Sequence, residues 1–392
     1  MDKQLFVTTI PHFSETNLNS FCWFLEYGLS DELRNFASAL NLNEKLNIRV
    51  YSEEFVLKRP KYSSVQCKRY DLTYAIRIYV PIELIEEGTV NEYLAFFGEI
   101  PLMTEEGTFI INGCERVIIN QIIRSPGIYY RRETQEKTLQ YSATLISDRG
   151  SWLKFEFETG TVQIRLNKAT TVDFYHLLET CGITNFDPST KFNLAILNKS
   201  IQQTPISDFD TNLLTKNLTN NQNINFDSNK GSEDNYLQIF NEKVYSLGKI
   251  GRKKLNSRLG LSIPDSITRV TIDDVIAFSN YLVDLHANLG ELDDIDNLRN
   301  RRVRSIGELL QIQYGIGLSR LERSINERLM ITNSTAFKVA TIINPKPIIA
   351  SIKEFFGSSQ LSQFMDQTNP IASLTHKRRI SSFCLLYTSP SP

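Results

Sequence analysis

Apolar and polar positions along the chain change period several times, and each change predicts an element. From Ser20 to Ala39 the apolar residues recur at helical spacing, which predicts a helix. From Tyr70 to Val80 the period drops to two. Tyr70, Leu72, Tyr74, Ile76, Ile78 and Val80 share one face, and Asp71, Thr73, Arg77 and Tyr79 share the other, as in a strand buried on one side. Thr108 to Ile119 reads as two β-branched runs around Asn112-Gly113, a dipeptide that tolerates the positive φ angles of a type I′ turn, so a hairpin is expected. A further hairpin is expected from Trp152 to Leu166. There Leu153, Phe155 and Phe157 alternate with charged residues, Glu158-Thr159-Gly160 turns, and Val162, Ile164 and Leu166 return.

The pattern then lapses. Residues 211 to 241 are rich in Asn with scattered Lys, Asp and Ser, too polar to order much backbone unaided, and read as a variable surface loop. Helical spacing returns after Thr271-Ile272-Asp273-Asp274, an N-cap with acidic first-turn residues ahead of Val275, Ile276, Leu282 and Leu285. Arg304 to Met330 is also helical, with Leu318, Leu321, Ile325 and Leu329 in one stripe. Gly315 and Gly317 inside it imply a break or a close backbone contact. The fold class is α+β, multidomain, with mixed strands and helices and no fixed-period repeat.

Composition narrows the class. In 392 residues, 43 Lys and Arg face 44 Asp and Glu, which excludes a uniformly basic nucleic-acid coat and leaves polyanion binding to local clusters. Cys22, Cys67, Cys114, Cys181 and Cys384 lie far apart without a C-x-x-C pair, as free thiols in a reducing compartment would. No apolar run reaches the ~18 residues of a membrane span, and the first residues resemble neither a signal nor a transit peptide.

Enzyme signatures are absent: no G-x-S-x-G, no Walker-type loop, no H-E-x-x-H, and His12, His176, His286 and His376 are scattered. Glu291-Leu-Asp-Asp-Ile-Asp296 offers carboxylates to a metal, but an acidic segment neutralised by the following arginines is the better reading. Those arginines, Arg299, Arg301, Arg302 and Arg304, have the forked geometry that suits phosphate, but taken alone a solvated or salt-bridged face is the favoured reading. Lys249, Arg252, Lys253, Lys254 and Arg258 form a second basic cluster, and His376-Lys377-Arg378-Arg379 a third. Three clusters on a neutral chain predict separate contact stripes along one polyanion. Ahead of the third, residues 357–370 are rich in amides and hydroxyls, uncharged donors to phosphate and sugar oxygens, although on composition alone the segment reads as a polar loop.

Phe355-Phe-Gly-Ser-Ser-Gln-Leu-Ser-Gln-Phe-Met-Asp-Gln-Thr-Asn-Pro370, followed by Leu374-Thr-His-Lys-Arg-Arg-Ile-Ser381, resembles the rifamycin-binding region of the β subunit of bacterial-type, multisubunit DNA-directed RNA polymerase. Three further blocks resemble the family in its order. They are Gly98-Glu-Ile-Pro-Leu-Met103 with Gly107 to Arg116 and Arg124-Ser-Pro-Gly127; Leu247 to Asn256; and Asp293-Asp-Ile-Asp296 with Asn300-Arg-Arg-Val-Arg304. The resemblance spans Gln4 to Ser381 and is strongest to the plastid-encoded form.

The resemblance implies a protrusion from 1–139 and 296–357, a lobe at 140–295, the start of the fork at 358–381, and a non-family tail at 382–392. It implies transcription of DNA into RNA from nucleoside triphosphates. Gln360, Gln363 and Arg379 would contact RNA or the hybrid. Arg124, Gln363, Phe364, Asp366, His376, Arg379 and Ser381 would match a rifamycin pocket, and Arg301, Arg302 and Arg304 would face DNA. No catalytic or metal-binding residue is expected in this chain, since the family's Mg2+ is held by the partner β′ subunit. The implied partners are template DNA, the RNA product, the α, β′ and plastid β″ subunits and a sigma factor, with no membrane. The implied location is the plastid (chloroplast), with the bacterial cytoplasm as alternative.

Two departures stand out. Asn297 and Arg299 occupy positions where the family commonly has His and Gly, and Phe383 to Pro392 reads as foreign or frame-shifted sequence on a truncated subunit. The alternative function is a non-enzymatic nucleic-acid-binding or scaffold protein with a polymerase-like region.

Overall fold

Strand period, turn chemistry and helix caps give the chain its elements, and tertiary packing gathers them into two compact units. One comprises Met1–Ile123 with Val303–Pro392, the other Arg124–Arg302. The computed structural model describes residues 13–40, 47–86, 89–135, 138–158, 161–165, 171–174, 240, 245–286, 289–331 and 343–382. The Asn-rich run, apart from residue 240, and the tail from 383 lie outside them.

The first unit opens with helix α1 (Glu15–Trp23), a π-helical turn (Phe24–Gly28) and α2 (Leu29–Leu40), so the expected helix starts one turn earlier than its apolar pattern. Strands β1 (Asn47–Val50) and β2 (Val56–Lys58) follow, then the short helix α3 (Ser64–Arg69). The strand expected from Tyr70 begins only at Ala75, because Ser63 and Gln66 close a capping box that makes Tyr70 the C-cap of α3. Asp71 then turns the chain at φ 53°. From Ile76 onward the alternation holds, with Ile76, Ile78, Val80 and Ile82 all buried.

Strand β3 (Ala75–Glu86) pairs antiparallel with β1, β2 and β4 (Thr89–Pro101). Next comes the expected hairpin, β5 (Phe109–Ile111) and β6 (Cys114–Ile118), with φ 48° at Asn112 and 77° at Gly113. A Cβ at Gly113 would lie 2.5 Å from Asp71 Oδ1, so both backbone angle and space require glycine there. Strand β7 (Asn120–Arg124) leads out of this unit.

The second unit is an antiparallel meander in sequence order: β8 (Gly127–Gln135), β9 (Thr138–Ile146), β10 (Leu153–Glu158), β11 (Thr161–Arg165) and β12 (Thr171–Asp173). Strands β10 and β11 are the second expected hairpin; Leu153, Phe155, Phe157, Val162 and Ile164 are buried on one face. Helices α4 (Gly248–Leu259) and α5 (Ile272–His286) complete the core, with Phe278 edge-on to Phe155 at 5.5 Å. Asp274 accepts from the backbone N–H and hydroxyl of Thr271, the cap that the sequence announces. The lobe expected at 140–295 would begin within β9, and the second compact unit spans Arg124–Arg302.

Strand β13 (Arg301–Arg304) returns to the first unit, so the predicted helix starts later, as α6 (Ile306–Ile331). Its stripe Leu318, Leu321 and Ile325 is buried against α2 and α7 (Lys346–Ser358). No break occurs at Gly315 or Gly317. A Cβ on Gly317 would sit 2.8 Å from Ile348 Cα and 2.6 Å from Ser351 Oγ, so this glycine lets α6 and α7 touch backbone to backbone. The chain then forms β14 (Ser362–Phe364), α8 (Pro370–Lys377) and β15 (Ile380–Ser381).

Candidate nucleic-acid interface

The amide-rich segment is not a free loop. Strand β14 adds to the β5–β6 hairpin, pairing Ser362 with Ile118, Gln363 with Val117 and Phe364 with Arg116. Arg116 carries the junction. Its guanidinium donates to the carbonyls of Phe356 (2.7 Å) and Ser362 (3.5 Å) and lies 4.2 Å from the centroid of the Phe364 ring. Beside it, the Glu115 carbonyl accepts from Met365 N–H, and the Glu115 carboxylate accepts from Gln367 Nε2 at 2.9 Å and pairs with Lys68. Phe364 keeps 62% of its surface exposed despite the guanidinium beneath it.

Beyond β14, Asn369 caps α8 through Ile371 N–H, with Pro370 in the first turn. His376, 6% exposed, then closes the segment on itself. Its Nδ1 accepts from Asp366 N–H at 3.2 Å, so that nitrogen carries no proton. The proton of the neutral ring therefore sits on Nε2, which donates to Gln363 Oε1 at 3.1 Å. Gln363 Nε2 in turn donates to the Gln360 carbonyl. Burial and the nearby Arg379 hold the His376 pKa below its ordinary value, against the opposing pull of Asp366. Asp366 is held low by hydrogen bonds from the Thr368 hydroxyl and N–H.

Gln360, Gln363, Asp366 and His376 are thus brought into one network, with Phe364 and the exposed Arg379 on the same short segment. Ser381 lies in β15, in parallel register with Gln121 of β7. Arg124 belongs to the other unit, where its guanidinium stands 5.6 Å from the Trp152 ring. Two contributors escape the sequence reading. Arg116 had a signal, a guanidinium inside a β-branched run. Asn17 had none: buried in α1, it donates to the Lys377 carbonyl and accepts from Asn120, tying α8 to β7.

The basic clusters fare differently. Arg252 is fully buried, ion-paired with Asp274 at 2.6 Å and donating to the carbonyls of Ile267 and Arg269. Lys254 donates to the Tyr129 hydroxyl and to Asn300 Oδ1, and burial lowers its pKa. The second cluster is therefore not a continuous surface stripe, because its central guanidinium holds the α4–α5 connection together. Arg301 pairs with Asp296 (2.8 Å), Arg302 with Asp148 (2.9 Å) and Arg304 with Glu308 (3.3 Å), which is the salt-bridged face. Within the acidic segment, Asp293 is taken by Arg258 at 3.2 Å. Among the described residues no three His, Cys, Asp or Glu converge as a metal site requires, and no helix is long and apolar enough to cross a membrane.

Comparison with known proteins meets this architecture directly. The profile of the family described as RNA polymerase Rpb2, domain 2, matches residues 124–304, and the second compact unit spans Arg124–Arg302. The DNA-directed RNA polymerase subunit beta of Guillardia theta is 45% identical over 379 residues, 95% of this chain and 35% of that protein. The chain belongs to the RNA polymerase β-subunit family. The β subunits of Rhodomonas salina (45% over 97% of the chain and 35% of the relative) and Synechococcus elongatus (44% over 95% and 34%) agree. The chain spans about a third of the length of these β subunits.

Proposed function

We propose that the chain is the amino-terminal part of the β subunit of DNA-directed RNA polymerase and that segment 358–381 grips the backbone of nascent RNA in the RNA–DNA hybrid. Residues 1–139 with 296–357 would be the protrusion, 140–295 the lobe, and 358–381 the start of the fork. The observation that carries the reading is the 44–45% identity running through 95% or more of the chain.

The chemistry fits such a role. His376 and the Gln360 carbonyl fix the Gln363 amide, and Gln360 is exposed beside it. Uncharged donors and exposed cations such as Arg379 hold a sugar–phosphate backbone without reading its bases, as a polymerase must when it moves on after each addition. Gln363, Phe364, Asp366, His376, Arg379 and Ser381 would line the rifamycin pocket, and Arg301, Arg302 and Arg304 would face DNA. Nucleotide addition would take place on Mg2+ held by the partner β′ subunit, in an assembly with α, β″ and a sigma factor. Relatives from algae and a cyanobacterium support a plastid polymerase, checked by finding the gene in plastid DNA.

The test is a photo-crosslink from the 3′-proximal nucleotides of RNA made by the polymerase assembled around the full-length subunit. Crosslinks at residues 360–363, weakened by Gln363→Ala, are the expected result; their absence there overturns the reading.

A further inference from the structure

The second unit carries an open strand edge with two cations beside it. Strand β8 ends the five-stranded order, and among the described residues no strand pairs with its outer side. The chain itself shows that this edge accepts a strand-like partner: Tyr130 N–H donates to Asp293 Oδ2 at 3.1 Å, and Asp293 N–H donates to the Tyr130 carbonyl at 3.0 Å. Backbone groups alternate along an antiparallel strand, so those of Arg132 and Thr134 also point outward, where no strand among the described residues meets them.

A cleft of about 570 Å3 runs along this stretch, lined by Arg131, Arg132, Glu133, Leu292 and Asp293. Its two carboxylates are already spent, Glu133 on Lys154 and Asp293 on Arg258. Arg131 and Arg132 make no ion pair among the described residues, and Leu292 is exposed. Consecutive residues of a strand project to opposite faces, so one guanidinium flanks the edge on each side.

We propose that the outer edge of β8 is a docking site for an extended acidic segment of a protein partner. That segment adds as a sixth strand and places two consecutive Asp or Glu residues against Arg131 and Arg132, with an apolar neighbour on Leu292. The backbone groups of Arg132 and Thr134 supply the ladder, and the cation on each face selects an acidic dipeptide over a neutral or basic one. A lone phosphate would use one guanidinium and leave the ladder unpaired, which is why the edge favours a peptide over nucleic acid.

The experiment titrates the 392-residue chain with a short β-prone peptide carrying a central Glu-Glu dipeptide, with its Lys-Lys counterpart, and with single-stranded DNA of matched charge. Amide hydrogen exchange is followed at Arg132 and Thr134. The Glu-Glu peptide should bind roughly tenfold tighter than the Lys-Lys peptide, protect both amides, and lose that preference in R131E/R132E, which should favour the Lys-Lys peptide instead. Equal binding of the two peptides, binding without protection of these amides, or full displacement by the DNA would each overturn the proposal. Neither arginine is buried or ion-paired among the described residues, so the double variant is expected to keep the thermal transition of the parent chain.

Discussion

Segments 249–304 and 358–381 both read as places where a polyanion could be held, yet they use their polar groups in opposite ways. In the first, the arginines turn inward or sideways: Arg252 into a buried pair with Asp274, Arg301, Arg302 and Arg304 onto Asp296, Asp148 and Glu308. In the second, the buried His376 and, reaching over from α1, Asn17 tie the segment down while Gln360, Phe364 and Arg379 stay exposed. A count of cations therefore says little about binding capacity until their carboxylate partners are known. A paired guanidinium must first give up its partner, whereas an exposed amide on a fixed strand gives up only water.

The largest effect is expected at Arg252. Arg252→Ala leaves Asp274 charged, buried and unpaired and should cost about 3–5 kcal/mol, read by denaturant unfolding. If Arg252 were instead a ligand contact, stability would not change. The double variant Arg252→Met with Asp274→Leu should recover most of the loss, because two apolar side chains leave no orphaned charge.

Arg116→Ala removes the guanidinium from two carbonyls and from the Phe364 ring. We expect a loss of about 1–3 kcal/mol, seen as faster amide exchange at Gln363 and Phe364. Unchanged exchange there would mean that β14 is held by its strand pairing alone.

A pH titration probes the second segment through its buried imidazole. Burial holds the folded-state pKa of His376 below the ordinary 6.5, so its contribution to stability is complete above that value and is lost as pH falls through the folded-state pKa. Protonated Nδ1 can no longer accept from Asp366 N–H. Protection of the residue 366 amide, measured against its intrinsic exchange rate at each pH, should therefore fall on acidification below about pH 6.5, and His376→Gln should remove the inflection.

The smallest effect belongs to Arg301. Its pair with the exposed Asp296 is worth less than about 1 kcal/mol, so Arg301→Ala should barely shift the unfolding midpoint, while in the assembled polymerase it tests DNA retention without a folding defect.

Several elements are legible in the residues themselves. Asn112-Gly113 announces its hairpin because positive φ is nearly restricted to such residues. Phe155 and Ile164 announce theirs by alternation, and Thr271 with Asp274 announces a helix start. Tyr70 to Tyr74 mislead, since a capping box four residues upstream of the turn outweighs a period of two.

Local and periodic features thus belong to the amino-acid order: the turn at Gly113, the buried faces of β3 and β10, the stripe of α6, and the family resemblance in segment 355–381. They follow from backbone sterics and the spacing of apolar residues, which act over a few positions. Packing in three dimensions settles the rest: which arginines are spent, that Gly317 joins α6 to α7 without a break, and that Arg116 supports a strand some 250 residues later. Those outcomes depend on which carboxylate, carbonyl or ring arrives from elsewhere in the chain, and sequence spacing carries no record of that arrival.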